Sequence, residues 1–197
     1  MKIICPAPSK MGTVSLCAAL KQLGIAVAHY PHDEVVQHYS LRLGEPPTRT
    51  IDYSDGIADL PAAIWWRELM GIYPDSQIIV TYRNFDAWVK SMLTHYANNP
   101  PSPTGYSVHD ALRIAFYGFC GVNADKWTEV ANRHYVALAR AAELDVFAHW
   151  HYIDLDGDNE QNWRELCDFL TRNTGIDYSE ERETMTFPHL NKTVGEK

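Results

Sequence analysis

The stretch Ile3-Ile4-Cys5-Pro6-Ala7-Pro8-Ser9-Lys10-Met11-Gly12-Thr13-Val14-Ser15-Leu16 sets a short apolar strand, a turn and a helix start side by side. Lys2 to Cys5 has the β-branched, apolar character of a buried strand, and Pro6 and Pro8 stop it because proline has no N–H to give to a sheet. Thr13 to Leu23 then carries Leu16, Ala19, Leu20 and Leu23 on one helical face. Strand, loop and helix in this order make an anion site. Backbone N–H groups of the loop and of the first helical turn have no intrahelical partner, so they can close around a phosphate, while Lys10 adds a full positive charge and Thr13 and Ser15 add hydroxyls.

Working outward, Gly24 ends the first helix and Ile25 to Ala28 reads as a second buried strand, a βαβ step that favours a parallel sheet. From His29 to Asp59 the chain loosens, with a short helix expected near Val35 to Leu41 and an extended piece at Arg49 to Tyr53. His29, His32 and His38 fall in this region at a spacing that matches no metal motif. Asp59-Leu60-Pro61 looks like a helix start, with Asp59 near the N-cap and proline in the first turn. The helix that follows, through Trp65, Trp66 and Leu69 to Gly71, is apolar enough to be nearly buried. Gln77 to Tyr82 is the clearest strand, a continuous run suited to the middle of a parallel sheet. Arg83 closes it, at the strand end where open α/β sheets bind ligands. A helix from Asn84 to Tyr96 follows, capped by Asn84 or Asp86, and Ser91 lies on it about two turns beyond Arg83, within reach of the same anion.

Ala97 to Gly105 is too polar and proline-rich for either regular element and reads as a loop over the mouth of the site. Helices are expected over His109 to Phe119, Asp125 to Leu144 and Asn162 to Thr171, and a fourth strand over Val146 to Leu155. His149 and His151 fall on one face of that strand, without a third metal ligand nearby.

Composition narrows the function further. A chain of 197 residues with 46% hydrophobic and 21% charged residues is expected to form a single domain with one real core. The formal net charge of −8 argues against a nucleic-acid surface, so an anionic ligand must be held by a few local cations. Cys5, Cys17, Cys120 and Cys167 are far apart and form no C-x-x-C pair, which reads as reduced cysteines of a cytoplasmic protein. No apolar run reaches the length of a membrane span, and neither a membrane nor a metal is expected to take part.

The loop departs from the nucleoside-triphosphate kinase pattern G-x-x-x-x-G-K-[ST], because its lysine comes two residues before its glycine. It resembles instead the 5′-phosphosulfate loop of the sulfotransferases, P-K-T-G-T-T-S-L, matching at Lys10, Gly12, Thr13, Ser15 and Leu16 and departing at Ser9, Met11 and Val14. The block from Pro61 to Ser91, P-A-A-I-W-W-R-E-L followed by P-D-x-x-I-I-V-T-Y-R-N-x-x-x-W-x-x-S, is similar to a subfamily of small soluble sulfotransferases. W-R-E-L-C-D-F-L in the late helix and the closing F-P-H-x-N are similar to it as well, so the resemblance spans nearly the whole chain.

That resemblance implies a three-layer P-loop-type α/β fold with kinase-type strand order, in which the Gln77 strand is expected between the first two. It implies the sulfuryl donor PAPS as co-substrate and PAP as product, with Ser9 to Ser15 around the 5′-phosphosulfate and Arg83 and Ser91 on the 3′-phosphate. Lys10 would stabilise the leaving group, and Asp59, standing where the subfamily carries D-x-P, would be the base, with His29 and His32 as alternatives and a plain helix cap as Asp59's other role. The C-terminal R-K-G…G-D-W segment of larger relatives is missing, so that either Lys192 partly replaces it or the pocket is more open. A small-molecule acceptor is implied, apolar or phenolic if Trp65, Trp66, Tyr96, Tyr106 and Phe116 face it. A nucleotide or small-molecule kinase and a catalytically silent PAPS-binding protein are the competing classes.

Overall fold

A computed structural model of the protein describes residues 1–33, 36–103, 107–145 and 149–188. Five strands, β1 (Ile3–Cys5), β2 (Val27–His29), β3 (Gly56–Ala58), β4 (Gln77–Tyr82) and β5 (Trp150–Asp154), form one sheet in the order β2-β3-β1-β4-β5. Every pairing is parallel, with Ile4 opposite both Ile57 and Ile78, and Val80 opposite Tyr152.

Because side chains alternate across a strand, the sheet feeds two cores. Ile4, Ile57, Ile78 and Val80 face one side, against Trp66 and Leu69 of α3 (Leu60–Ile72), Trp88 and Met92 of α4 (Phe85–Asn98), Leu112 of α5 (Val108–Tyr117), and Trp127 and Leu138 of α6 (Ala124–Leu144). Ile3, Cys5, Ala58, Ile79 and Ile153 face the other, against Leu16 and Leu20 of α1 (Thr13–Gln22) and Leu166 and Leu170 of α7 (Asn159–Thr174). The result is a three-layer α/β sandwich whose buried strands are continuous apolar runs, as a parallel sheet covered on both faces requires. Each of these side chains that is fully buried contributes about 1.5–3 kcal/mol relative to exposure.

The strand order is the kinase type, but the Gln77 strand does not lie between the first two. It pairs with β1 on the opposite side, and β3 fills the expected place. With only three residues, Gly-Ile-Ala, β3 is too short for a periodicity signal, and its glycine looks like a turn. That glycine is there because the strands approach closely: a Cβ on Gly56 would run into the backbone carbonyl of Ile3.

The piece expected to be extended, Arg49 to Tyr53, is instead the short helix α2 (Thr48–Asp52), opened by Pro47. The helix expected near Leu41 is a π-helical turn over Val36–Arg42, β2 starts at Val27 rather than Ile25, and the last strand starts at Trp150. Val35, Tyr106, Val146 to Ala148 and the ending from His189 through Lys192 lie outside the described residues, as does the side chain of His38. The short helix α8 (Ser179–Thr184) follows α7.

Candidate active site

The loop after β1 is held in an unusual backbone shape. Gly12 is the N-cap of α1 with φ 81°, it offers no side-chain cap, and the first turn has no acidic residue, so the helix end is left to an external anion. Gly12 also leaves room for a neighbour, since a Cβ there would occupy the place of the Leu155 side chain. Met11 turns its side chain fully into the core, and its N–H donates to Pro8 O at 3.2 Å. From the far side Trp88 Nε1 donates to Ser9 O at 2.9 Å, which pins the loop to α4.

A cavity of about 590 Å³ opens over this loop, at the carboxyl ends of the strands. Ser9, Lys10, Gly12, Thr13 and Val14 line it, and so do Asp59, His29, His32, Arg83 and Ser91. Met11 and Ser15 do not line it; Ser15 is buried in the first turn of α1. Arg83 and Ser91 come from the end of β4 and from α4, whose start is capped by Asn84 Oδ1 accepting from Asp86 N and Ala87 N. Arg83 is loosely paired with Asp156 at 4.0 Å, and its Nε is buried without a hydrogen-bond partner among the described residues. An orphan buried donor beside an uncapped helix end fits an anionic ligand with two charged groups.

Asp59 is the most constrained side chain of the site. It is 3% exposed, and it accepts from the Ser9 hydroxyl, from Leu60 N at 2.7 Å and from Thr13 Oγ1 at 2.7 Å. His29 Nε2 stands 3.4 Å from Asp59 Oδ2 and 3.0 Å from Thr13 Oγ1. The Asp59 backbone has φ 73° and ψ −158°, a region that is essentially glycine's, whereas an ordinary N-cap rests in the β region. Asp59 does cap α3, but that task alone does not need this conformation. Lys10, Tyr30 and Asp59 are the non-glycine residues of positive φ among the described ones, and all three line the cavity. Such strain costs of order 1–3 kcal/mol per residue and collects where side-chain aim matters more than stability.

Other lining residues went unnoticed in the sequence: Tyr30, His95, His109 and Arg113. Tyr30 stacks on His109 with centroids 5.6 Å apart and 7° between planes, and His32 packs on His109 at 4.8 Å. Burial pushes the Tyr30 phenol up, and Asp59 adds to that, so it stays a hydroxyl donor. A signal for these residues was present. Ser91, His95 and Asn99 recur at i, i+4 and i+8 along one face of α4, and His109 and Arg113 stand i, i+4 on α5. Of the aromatic residues considered for an acceptor and expected to be mostly core, Trp65, Trp66 and Tyr96 do belong to the core, and Phe116 packs edge-on against Tyr117 and His134.

A parallel sheet in kinase-type order, with a lysine-bearing loop and an uncapped helix end after its central strand, is consistent with a P-loop-like α/β fold. The sequence profile described as "Sulfotransferase domain" matches residues 2–195, and the chain belongs to that family of transferases. It is also 25% identical over 204 residues to "Ava biosynthesis cluster protein M" of Aspergillus versicolor, an alignment covering 86% of this chain and 76% of that protein. Among the described residues no helix is long and apolar enough to cross a membrane, and no group of three or more His, Cys, Asp or Glu side chains is placed to hold a metal ion.

Proposed function

We propose that the protein moves the sulfuryl group of PAPS to a hydroxyl or amine of a small acceptor by in-line displacement without a metal, releasing PAP. The observation that supports this best is the convergence of two distant segments, the Lys10 loop and the Arg83–Ser91 pair, on one cavity in a chain of the sulfotransferase family. PAPS supplies the activated sulfur–oxygen bond that breaks as the acceptor atom bonds to sulfur. The chain's own groups do the rest. Lys10 and the N–H groups opening α1 hold the charge that grows on the departing phosphate, an effect worth about 2.7–4 kcal/mol when preorganised. Arg83, through its orphan Nε, and Ser91 take the 3′-phosphate.

For the base, Asp59 and His29 act as a pair. Both Asp59 oxygens are occupied by the Ser9 and Thr13 hydroxyls and Leu60 N–H, while His29 has a side chain 32% exposed and stands against the carboxylate. His29 is therefore the group that meets the acceptor proton, and Asp59 orients it.

Calorimetry with PAP, with and without magnesium, tests the donor assignment. PAP is expected to bind without magnesium, and Arg83→Ala and Ser91→Ala are expected to weaken it while leaving adenosine 5′-phosphosulfate binding nearly unchanged. An equal loss for both ligands would remove these residues from the 3′-phosphate. Tight magnesium-dependent ATP binding would point to a kinase, and PAP binding without turnover of any acceptor to a silent binder.

A further inference from the structure

The part of the cavity away from the loop is built from polar side chains. Arg113 of α5 lines it although only 6% exposed, and its position is fixed: NH1 donates to Asp110 Oδ1 at 3.3 Å, NH2 to His95 Nε2 and Asn99 O, each at 3.4 Å, and its guanidinium lies 4.4 Å from the Tyr96 ring. Asp110 is its buried counter-charge, and the same carboxylate also accepts from Ser102 N at 2.9 Å and Ser107 Oγ at 2.7 Å.

The neighbouring rings have readable hydrogen positions. His32 Nδ1 is 2.9 Å from the carbonyl oxygen of Tyr30, which can only accept, so Nδ1 carries the proton and Nε2 is left for something else. Arg113 Nη2 stands 3.4 Å from His95 Nε2, a contact in which the guanidinium can only donate. His109 Nδ1 faces the Tyr30 hydroxyl at 3.3 Å. Asp59, already committed to the loop, is the one carboxylate lining the cavity among the described residues.

Resting on the sulfotransferase reading, we propose that the acceptor is an anion: a hydroxyl- or amine-bearing carboxylate whose carboxylate is received by Arg113, His109 and His32. An apolar acceptor would cover the guanidinium edge and the two imidazoles that line the cavity with groups unable to hydrogen-bond to them, which is costly, whereas a carboxylate gains charge-assisted hydrogen bonds there. The electrostatics point the same way. Burial, then His32 and Arg113, hold His109 below the usual histidine range, with Asp110 opposing; burial, then Lys10 and Arg113, do the same to His95, with Asp59 opposing. An arriving carboxylate relieves that repulsion and draws a proton onto His109. Binding therefore strengthens as pH falls.

The experiment compares 4-hydroxybenzoate with its uncharged methyl ester by calorimetry on the full chain saturated with PAP. The carboxylate is expected to bind about tenfold tighter or better, as one charge-assisted hydrogen bond would give, with proton uptake and a preference that grows toward lower pH. His109→Gln and His32→Gln are expected each to shrink the preference, and Lys10→Ala to leave it intact, since the loop is not its source. Equal binding of acid and ester, no saturable binding of the acid, a preference unchanged in both histidine variants, or one abolished by Lys10→Ala would each overturn the proposal. Should PAP itself fail to bind, the same titrations on Lys10→Ala without nucleotide still report on the carboxylate, so the donor reading and this one fail separately.

Discussion

The two halves of the cavity are made in different ways. On the half proposed for the donor, one contiguous loop contributes mostly backbone, joined by the Arg83 and Ser91 side chains, on a strand whose three residues are all fully buried. On the half proposed for the acceptor, side chains from the end of β2, from α4 and from α5 meet across space, and β2 itself is only half-buried. Backbone recognition demands a fixed local shape, so it leaves a contiguous mark in the sequence and tolerates few changes. Side-chain recognition assembled from several segments can be rewritten one residue at a time without touching the loop. The difference predicts that donor-side changes cut the rate for every acceptor, whereas acceptor-side changes sort one acceptor from another.

The largest break in that contrast should come from Lys10→Ala. Turnover is expected to fall about 10²- to 10³-fold, equally for all acceptors and across the whole pH range, with PAP still bound. A loss confined to some acceptors, measured as kcat/KM over a panel, would place Lys10 on the wrong side. Asp59→Asn sits where the halves meet and is expected to be smaller, about 10- to 100-fold, as for groups that act through another side chain. Asparagine keeps the helix cap, so the loss should appear in kcat with Tm held, and an acceptor of lower pKa should recover part of it. Full turnover with an unchanged Tm would leave Asp59 as a cap and nothing more.

The smallest effect concerns the joint between the halves. His134 of α6 donates from Nε2 to Pro6 O at 2.6 Å and packs edge-on against Phe116 of α5. Burial pushes its pKa down from 6.5 to about 4, against the Pro6 hydrogen bond, so the folded protein keeps it neutral while the unfolded chain protonates it below 6.5. Its contribution is complete above pH 6.5 and is lost as pH falls from there to about 4. His134→Gln preserves the donor and should flatten the fall of Tm across that window. Part of the slope will remain, because burial also brings His151 to about 4. An unchanged slope would show that His134 titrates normally.

What could be read in advance follows the same division. The sheet's central strands and the loop were legible because continuous burial and backbone strain have local signatures: a β-branched run at Ile78 to Thr81, and a glycine beside a lysine at Gly12. The third strand was not, because three residues carry no period and Gly56 answers to a neighbouring strand rather than to a turn. Asp59 was found as a helix start, but its glycine-like backbone and its loop hydroxyl partners arise only when β3 delivers it beside β1. Arg113 and His109 look like solvated helix residues until α5 folds over the sheet, and only their i, i+4 spacing hinted at a shared face.

The indole of Trp88 is fully buried, donates to Ser9 O, and lies on α4 one turn before Ser91. Loop and helix are thereby soldered into a single piece during folding, like the jaws of a calliper locked before anything is placed between them. On the proposed function, the span from Lys10 to Ser91 is then a fixed gauge for the separation of a ligand's two anionic ends, and a molecule with one such end would close on one jaw only.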